Sequence, residues 1–325
     1  MTDGFIRGCV LPPHDGAPYP RADLDDIRLP VDIGLAARVP ATVRLELTGP
    51  ARLADITYRT AHPPQGLRGE AGGSSFSVWS GQSQLADVEA VVGEGVARVP
   101  LGPGTTTVYL PEAMSPTVID MSGVDGSVHP APPAPRWLAY GDSITEGWGA
   151  SAPARSWVAR TSRELGLDAV NLGYAAAGRG ELAVAEMIAA TPAEVITVAF
   201  GTNCWSRVPL GTALLEATFR AFLTVLREGH PSVPVVVVSP IVRPDAEHEP
   251  NRLGATLAGL RRVIEETTRS LRAEDRRLTL LPGGDLLGPE HLADGVHPDD
   301  AGHELLSVAI GQCLAGALQP ASSPT

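Results

Sequence analysis

Trp137-Leu138-Ala139-Tyr140 is an unbroken apolar run that passes directly into Gly141-Asp142-Ser143-Ile144-Thr145-Glu146-Gly147-Trp148-Gly149. A short apolar run bounded by turn residues reads as a strand buried on both faces, the kind found in parallel sheets. A tight turn after such a strand exposes the Ser143 hydroxyl at the sheet end, which makes Ser143 a candidate nucleophile. Gly, Asp and Ser are also the ordinary residues of strand-to-helix turns, so the turn alone leaves that role open. Two distant segments bear on it: Gly201-Thr202-Asn203 after another apolar run, and Asp294-Gly295-Val296-His297-Pro298 near the C-terminus.

Around this stretch, apolar runs alternate with amphipathic segments. The pattern predicts strands over 137–140, 168–172, 194–200, 234–239 and 278–281, and helices over 154–165, 180–190, 211–228, 254–272 and 300–317. Strand-helix alternation at this spacing implies an α/β fold, a parallel sheet covered by helices on both faces. Ligands of such sheets bind beyond the carboxyl ends of the strands. Ser143 follows the first strand, Asn203 the third, and the loop with Asp294 and His297 the fifth, so the three segments are expected at one sheet edge.

Upstream the pattern differs. Short, roughly alternating runs at 43–47, 55–59, 75–79, 97–101, 106–110 and 117–121, separated by Gly, Pro and Asp clusters, predict an all-β sandwich or jelly roll over residues 1–128. Helical periodicity is absent from this part. The proline-dense stretch 129–136 reads as an extended linker, 137–318 as the α/β domain, and 319–325 as a frayed tail.

Composition narrows the classes. The chain has 325 residues, 43% of them hydrophobic, and a net charge of −12. That charge, with no cluster of basic residues, argues against a sequence-independent grip on nucleic acid. All its basic residues are Arg, a compositional bias without functional meaning. No segment approaches the roughly 18 apolar residues of a membrane span, and the start lacks the charged and apolar regions of a secretory signal. A soluble, cytoplasmic protein is the expectation. Cys9, Cys204 and Cys313 are too scattered for a disulfide framework or a paired metal motif.

A serine hydroxyl becomes an effective nucleophile when a base takes its proton during attack, and imidazole suits that task. His297 is the candidate base and Asp294, three residues earlier, the candidate orienter. The tetrahedral intermediate needs preorganised donors. Asn203 offers a side-chain NH₂ and Ser143 its backbone N–H.

These blocks resemble the SGNH, or GDSL-type, serine hydrolases over roughly residues 136–318. Gly141-Asp142-Ser143-Ile144 matches the first block, Gly201-Thr202-Asn203 the third, and Asp294 through His297 the fifth. The resemblance implies a flavodoxin-like three-layer α/β/α domain, with Ser143 as nucleophile and first oxyanion donor. The second block departs from the family. Members usually read Asn-x-Gly-x-Ser-Gly, whereas Asn171-Leu-Gly-Tyr-Ala-Ala-Ala-Gly178 puts Ala176 where the family has its donor glycine. Ala176 can serve through its backbone N–H if φ stays negative, and Gly178 is the alternative if the loop shifts by two. Cys204, where the family often has Asp, reads as a packing thiol. A β-sandwich before an SGNH domain is similar to some carbohydrate esterases and natural-product acyltransferases.

Other residues carry two readings each. Trp148 and Trp205 either line a substrate pocket or close the core beneath the loops. Arg179, Arg207 and Arg243 either hold an anionic part of a substrate or are solvated surface residues. Trp79 and Tyr58 are either a sugar platform or core. His291, Asp294, His297, Asp299, Asp300 and His303 suggest a metal site, but first-turn helix acids account for Asp299 and Asp300. No metal and no cofactor is expected. The resulting expectation is a serine esterase or deacylase acting on a small-molecule or sugar-like O-acyl ester. The alternatives are an acyltransferase passing the acyl group to a bound hydroxyl acceptor, and an inactive glycan-binding module.

Overall fold

The computed structural model describes residues 4–62 and 73–319; of the tail expected over 319–325, residues 320–325 lie outside them. Five parallel strands form the second half's sheet: β10 (Arg136–Gly141), β11 (Asp168–Gly173), β12 (Val195–Ala199), β13 (Val235–Val238) and β14 (Leu278–Leu281). Their spatial order is β11-β10-β12-β13-β14. Between them run α2 (Ser143–Glu146), α3 (Trp157–Leu165), α4 (Leu182–Ala190), α5 (Thr212–Gly229) and α6 (Leu257–Leu271), and α7 (Asp300–Leu318) closes the chain.

Alternation along the strands divides the core between the two faces. Leu138, Tyr140, Ile196 and Val198 pack with Phe219 and Phe222 of α5 on one face. Trp137, Ala139 and Val236 pack with Trp157 of α3 and Ile310 of α7 on the other. Local chemistry sets the helix starts. Asp142, Ser156, Thr256 and Asp299 each accept a backbone N–H from the first turn of α2, α3, α6 and α7 respectively. Asp299 is therefore the cap of α7 and lies just outside its first turn.

Nine strands among the described residues precede this sheet. β1 (Ile6–Arg7), β2 (Arg44–Thr48), β4 (Ser75–Ser80), β5 (Ser83–Glu89), β7 (Thr106–Tyr109) and β9 (His129–Pro130) make one antiparallel sheet. β3 (Leu53–Thr60), β6 (Gly93–Pro100) and β8 (Thr117–Val124) make another. Leu45, Leu47, Phe76 and Val108 of the first share one apolar cluster with Ile56, Tyr58, Val99 and Val118 of the second. Tyr58 is therefore core. Trp79 is buried where this region meets the second, in a cluster with Ala154 and Ala159 and beneath the Arg163 guanidinium.

Several features differ from the sequence pattern. A six-residue helix, α1 (Val31–Ala36), stands where none is expected, because it is shorter than two turns and shows no periodicity. Ala22, Ile33, Ala36 and Ala37 pack in the cluster of the parallel sheet, not with the strands that follow them in the chain. The expected linker is partly structured as well: His129 and Pro130 pair with β2, and Arg136 opens β10.

Candidate active site

The sheet changes direction at β10, which has β11 on one side and β12 on the other. A crevice opens beyond the strand ends at such a switch point. Ser143 enters it as the first residue of α2, directly after β10. Ala176 follows β11, and Asn203 lies on the 3₁₀ turn Thr202–Cys204 after β12. Asp294 and His297 arrive from the loop between β14 and α7.

Ser143 Oγ lies 2.9 Å from His297 Nε2, and His297 Nδ1 lies 2.7 Å from Asp294 Oδ2. Asp294 Oδ1 also accepts the backbone N–H groups of Val296 and His297, at 2.9 and 2.8 Å, which folds the loop around the carboxylate. Partial burial would raise the Asp294 pKa, but these hydrogen bonds outweigh it and hold the carboxyl below its ordinary value. The carboxylate fixes Nδ1 as the protonated ring nitrogen, leaving Nε2 to accept the Ser143 proton. Two further contacts set the ring. Trp148 packs against His297 with ring centroids 5.5 Å apart. Gly149 has φ +88°, and a Cβ there would overlap the Pro298 carbonyl oxygen, so only glycine lets the two loops approach this closely.

Ser143, Ala176, Asn203 and His297 line one cleft of about 410 Å³. Neither the Ser143 nor the Ala176 N–H donates to any acceptor among the described residues. Asn203 Nδ2 donates to the Ala177 carbonyl, leaving its second N–H. Ala176 adopts φ +58°, contrary to the negative φ expected for an alanine donor. The loop keeps the backbone shape that glycine gives freely, at a cost to alanine of about 1–2 kcal/mol. Gly178, at φ +66°, lies against the Gly141 carbonyl oxygen, where a Cβ would overlap it. Its role is to let the loop close on the end of β10.

Asp142 is buried with its carboxylate capping α2, and burial pushes its pKa up to about 7 against the backbone N–H groups it accepts from Ile144 and Thr202. Cys204 is fully buried and burial pushes its thiol well above the ordinary range. It packs in the core and is no nucleophile.

Of the candidate pocket residues, Trp148 lines the cleft and Trp205 and Arg179 do not. Trp205 donates its indole N–H to the Glu249 carbonyl at 2.8 Å and lies under Arg243. Arg179 is engaged within the protein, by Asp32 at 2.7 Å and the Ala176 carbonyl at 3.1 Å. Arg207 and Arg243 do line the cleft, the latter paired with Asp245 at 2.8 Å. The acids and histidines after residue 290 have separate partners: Asp300 holds Ser151, and His303 sits between the Trp157 N–H and the Trp148 carbonyl. Among the described residues no group of three or more such side chains could hold a metal ion.

Sequence reasoning missed one wall of the cleft. Asp32, Leu35, Ala36 and Val39 come from the N-terminal segment around α1. It also missed Glu146, which is buried and, as a buried carboxylate requires, partnered, a burial that no local pattern signals.

Residues 139–305, about half of the chain, match the GDSL-like lipase/acylhydrolase family. The chain belongs to that family. As a GDSL-family protein it is an enzyme of the class that hydrolyses esters or transfers acyl groups. Among solved structures, the salicylyl-acyltransferase SsfX3 from a tetracycline biosynthetic pathway superposes with a TM-score of 0.81 at 26% identity, covering 96% of this chain and 94% of that one. A GDSL lipase-like protein from Bacteroides ovatus gives 0.79 at 19% identity, over 96% and 95% of the two chains. An acetyl xylan esterase from the rumen bacterium Butyrivibrio proteoclasticus gives 0.63 at 14%, over 98% and 97%. The last two likenesses concern the fold alone. Among curated protein sequences no match is found. No helix among the described residues of this GDSL-family enzyme is long and apolar enough to cross a membrane.

Proposed function

We propose that this protein is a serine esterase or deacylase that cleaves an O-acyl ester of a small molecule through an acyl-Ser143 intermediate. The observation that carries the reading is the pair of contacts from Ser143 Oγ to His297 Nε2 and from His297 Nδ1 to Asp294, at 2.9 and 2.7 Å. Ser143 Oγ attacks the ester carbonyl carbon as His297 Nε2 takes its proton. The oxyanion is met by the N–H groups of Ser143 and Ala176 and by the Asn203 amide. Collapse expels the alcohol, which leaves with the proton from His297, and the acyl group stays on Ser143. Water then attacks by the same route and the acid departs. No metal enters these steps. We further read the two N-terminal sheets, which share a core, as a β-sandwich.

A second reading replaces water by a bound hydroxyl acceptor, so that the enzyme transfers the acyl group. It is favoured by the full-length likeness to a salicylyl-acyltransferase, at 26% identity over 96% of this chain. Turnover of a p-nitrophenyl ester by the wild type, abolished in Ser143→Ala, is the expected result. Equal turnover in both would overturn the nucleophile assignment and leave a binding role for the site. Product partitioning between free acid and acylated alcohol, over a panel of acceptors, separates the two readings. Hydrolysis without acceptor dependence excludes transfer.

A further inference from the structure

The Ala176 N–H is held in place by charges that are themselves anchored outside the loop bearing it. Without support, an alanine at φ +58° relaxes to negative φ, and such a conformation persists only where the surroundings over-determine it. Here the backbone on both sides of Ala176 is restrained, beyond the turn in which the Ala177 N–H donates to the Tyr174 carbonyl at 3.1 Å. The Ala175 N–H donates to Glu146 Oε2 at 2.9 Å, and the Ala176 carbonyl accepts from Arg179 Nη1 at 3.1 Å. Only the Ala176 N–H between them is left for a ligand.

Each restraint is anchored in the N-terminal segment. Glu146 pairs at 3.2 Å with Arg21, and the two side chains are 1% and 0% exposed. Arg21 spends its remaining donors on the carbonyls of Ala36, Val39, Asn171 and Gly173, tying the α1 segment to the end of β11 and the start of the donor loop. Arg179 pairs with Asp32 on α1 at 2.7 Å. The second Glu146 oxygen accepts the Trp148 indole N–H at 3.0 Å, so the same carboxylate reaches the residue packed on His297. Buried ion pairs add little to stability compared with apolar residues of the same volume, so fold stability alone does not account for this set.

We infer that Arg21, Glu146, Asp32 and Arg179 are positioning residues that hold Ala176 in its left-handed conformation, so that the N-terminal segment sets the geometry of an oxyanion donor. The inference rests on the reading of Ser143 as nucleophile with Ala176 as donor. Its logic is specific to this chain: a glycine at position 176 reaches the same φ without strain and needs less restraint.

The test compares Asp32→Asn, a change at a half-exposed side chain, in two backgrounds, with p-nitrophenyl acetate as substrate. In the wild-type background kcat should fall about tenfold with KM within about twofold, as expected when about 1–2 kcal/mol of strain is no longer opposed. In the Ala176→Gly background the same change should cost less than about twofold relative to its parent. Glu146→Gln serves as the second probe, with thermal melting to verify folding. Equal losses in both backgrounds, or a loss confined to KM, would overturn the inference. The underlying reading is checked separately by mass spectrometry of wild-type protein treated with a fluorophosphonate. A Ser143 adduct combined with equal losses refutes positioning alone, whereas the absence of an adduct refutes both.

Discussion

Asn203 occupies a position where one side-chain NH₂ has two duties, since one N–H ties down the Ala177 carbonyl and the other faces the cleft. Asn203→Ala should therefore lower kcat by about 10²–10³ with KM nearly unchanged, the loss typical of a missing oxyanion donor. Steady-state kinetics on a p-nitrophenyl ester checks this, and a loss confined to KM would contradict the assignment. Asp142, next to Ser143, makes a different prediction. Its carboxyl titrates at about 7 in the folded protein because of burial and near 4 in an unfolded chain. The folded state thus binds the extra proton between about pH 4 and 7, and stability from this group falls as pH rises through that window. Asp142→Asn keeps the capping oxygen and removes the titration. Between pH 5 and 8 its melting temperature should decline less than that of the wild type.

Strands buried on both faces were legible because their apolar runs are continuous, as Val235–Val238 illustrates, and the helices because amphipathic spacing persists over several turns, as in Leu215, Phe219, Phe222 and Leu226 of α5. Elements without such patterning were not. β5 is an exposed edge strand of mostly polar residues, and α1 is too short to show a period. Loops depend on close approaches that no pattern encodes. The loop bearing His297 is seated by the absence of a side chain at Gly149 and by His303 of α7, whose Nε2 meets the Trp148 carbonyl at 2.9 Å. Gly149→Ala combines a strained φ with overlap at Pro298 and should destabilise by about 1–3 kcal/mol. The expected readouts are a lower melting temperature and slower acylation of Ser143, and an unaltered acylation rate would show that this contact does not place His297.

The N-terminal strands are fastened to the parallel sheet by a charge. Arg44 of β2 is 1% exposed, pairs with Glu46 at 2.8 Å and Asp168 at 3.2 Å, and donates to the Ala169 carbonyl of β11 at 3.0 Å. Arg44→Ala would leave two carboxylates without their shared cation, for an expected loss of about 3–5 kcal/mol. Urea unfolding should show it, and a change under about 1 kcal/mol would mean that the two regions are held together elsewhere. Tyr109 and Trp79 extend the contact through Arg163, at 2.8 Å from the Tyr109 hydroxyl and 4.3 Å from the Trp79 ring.

Ser143, Asn203, Asp294 and His297 could be named as candidates from sequence because each lies on a segment that follows a readable strand, and a parallel sheet delivers all such segments to one edge. The strand order depends on pairings between strands separated by whole helices, and the wall built by Asp32, Leu35, Ala36 and Val39 and the reuse of Arg179 as a restraint depend on contacts between residues more than a hundred positions apart. Local periodicity reports which face of an element is buried and says nothing of its partner. By itself the sequence determined the candidate reactive groups and the sheet that gathers them. Only the tertiary structure decided how an alanine keeps a left-handed conformation at position 176, because the charges beside its strained backbone are anchored by a segment whose place against the sheet no local pattern specifies.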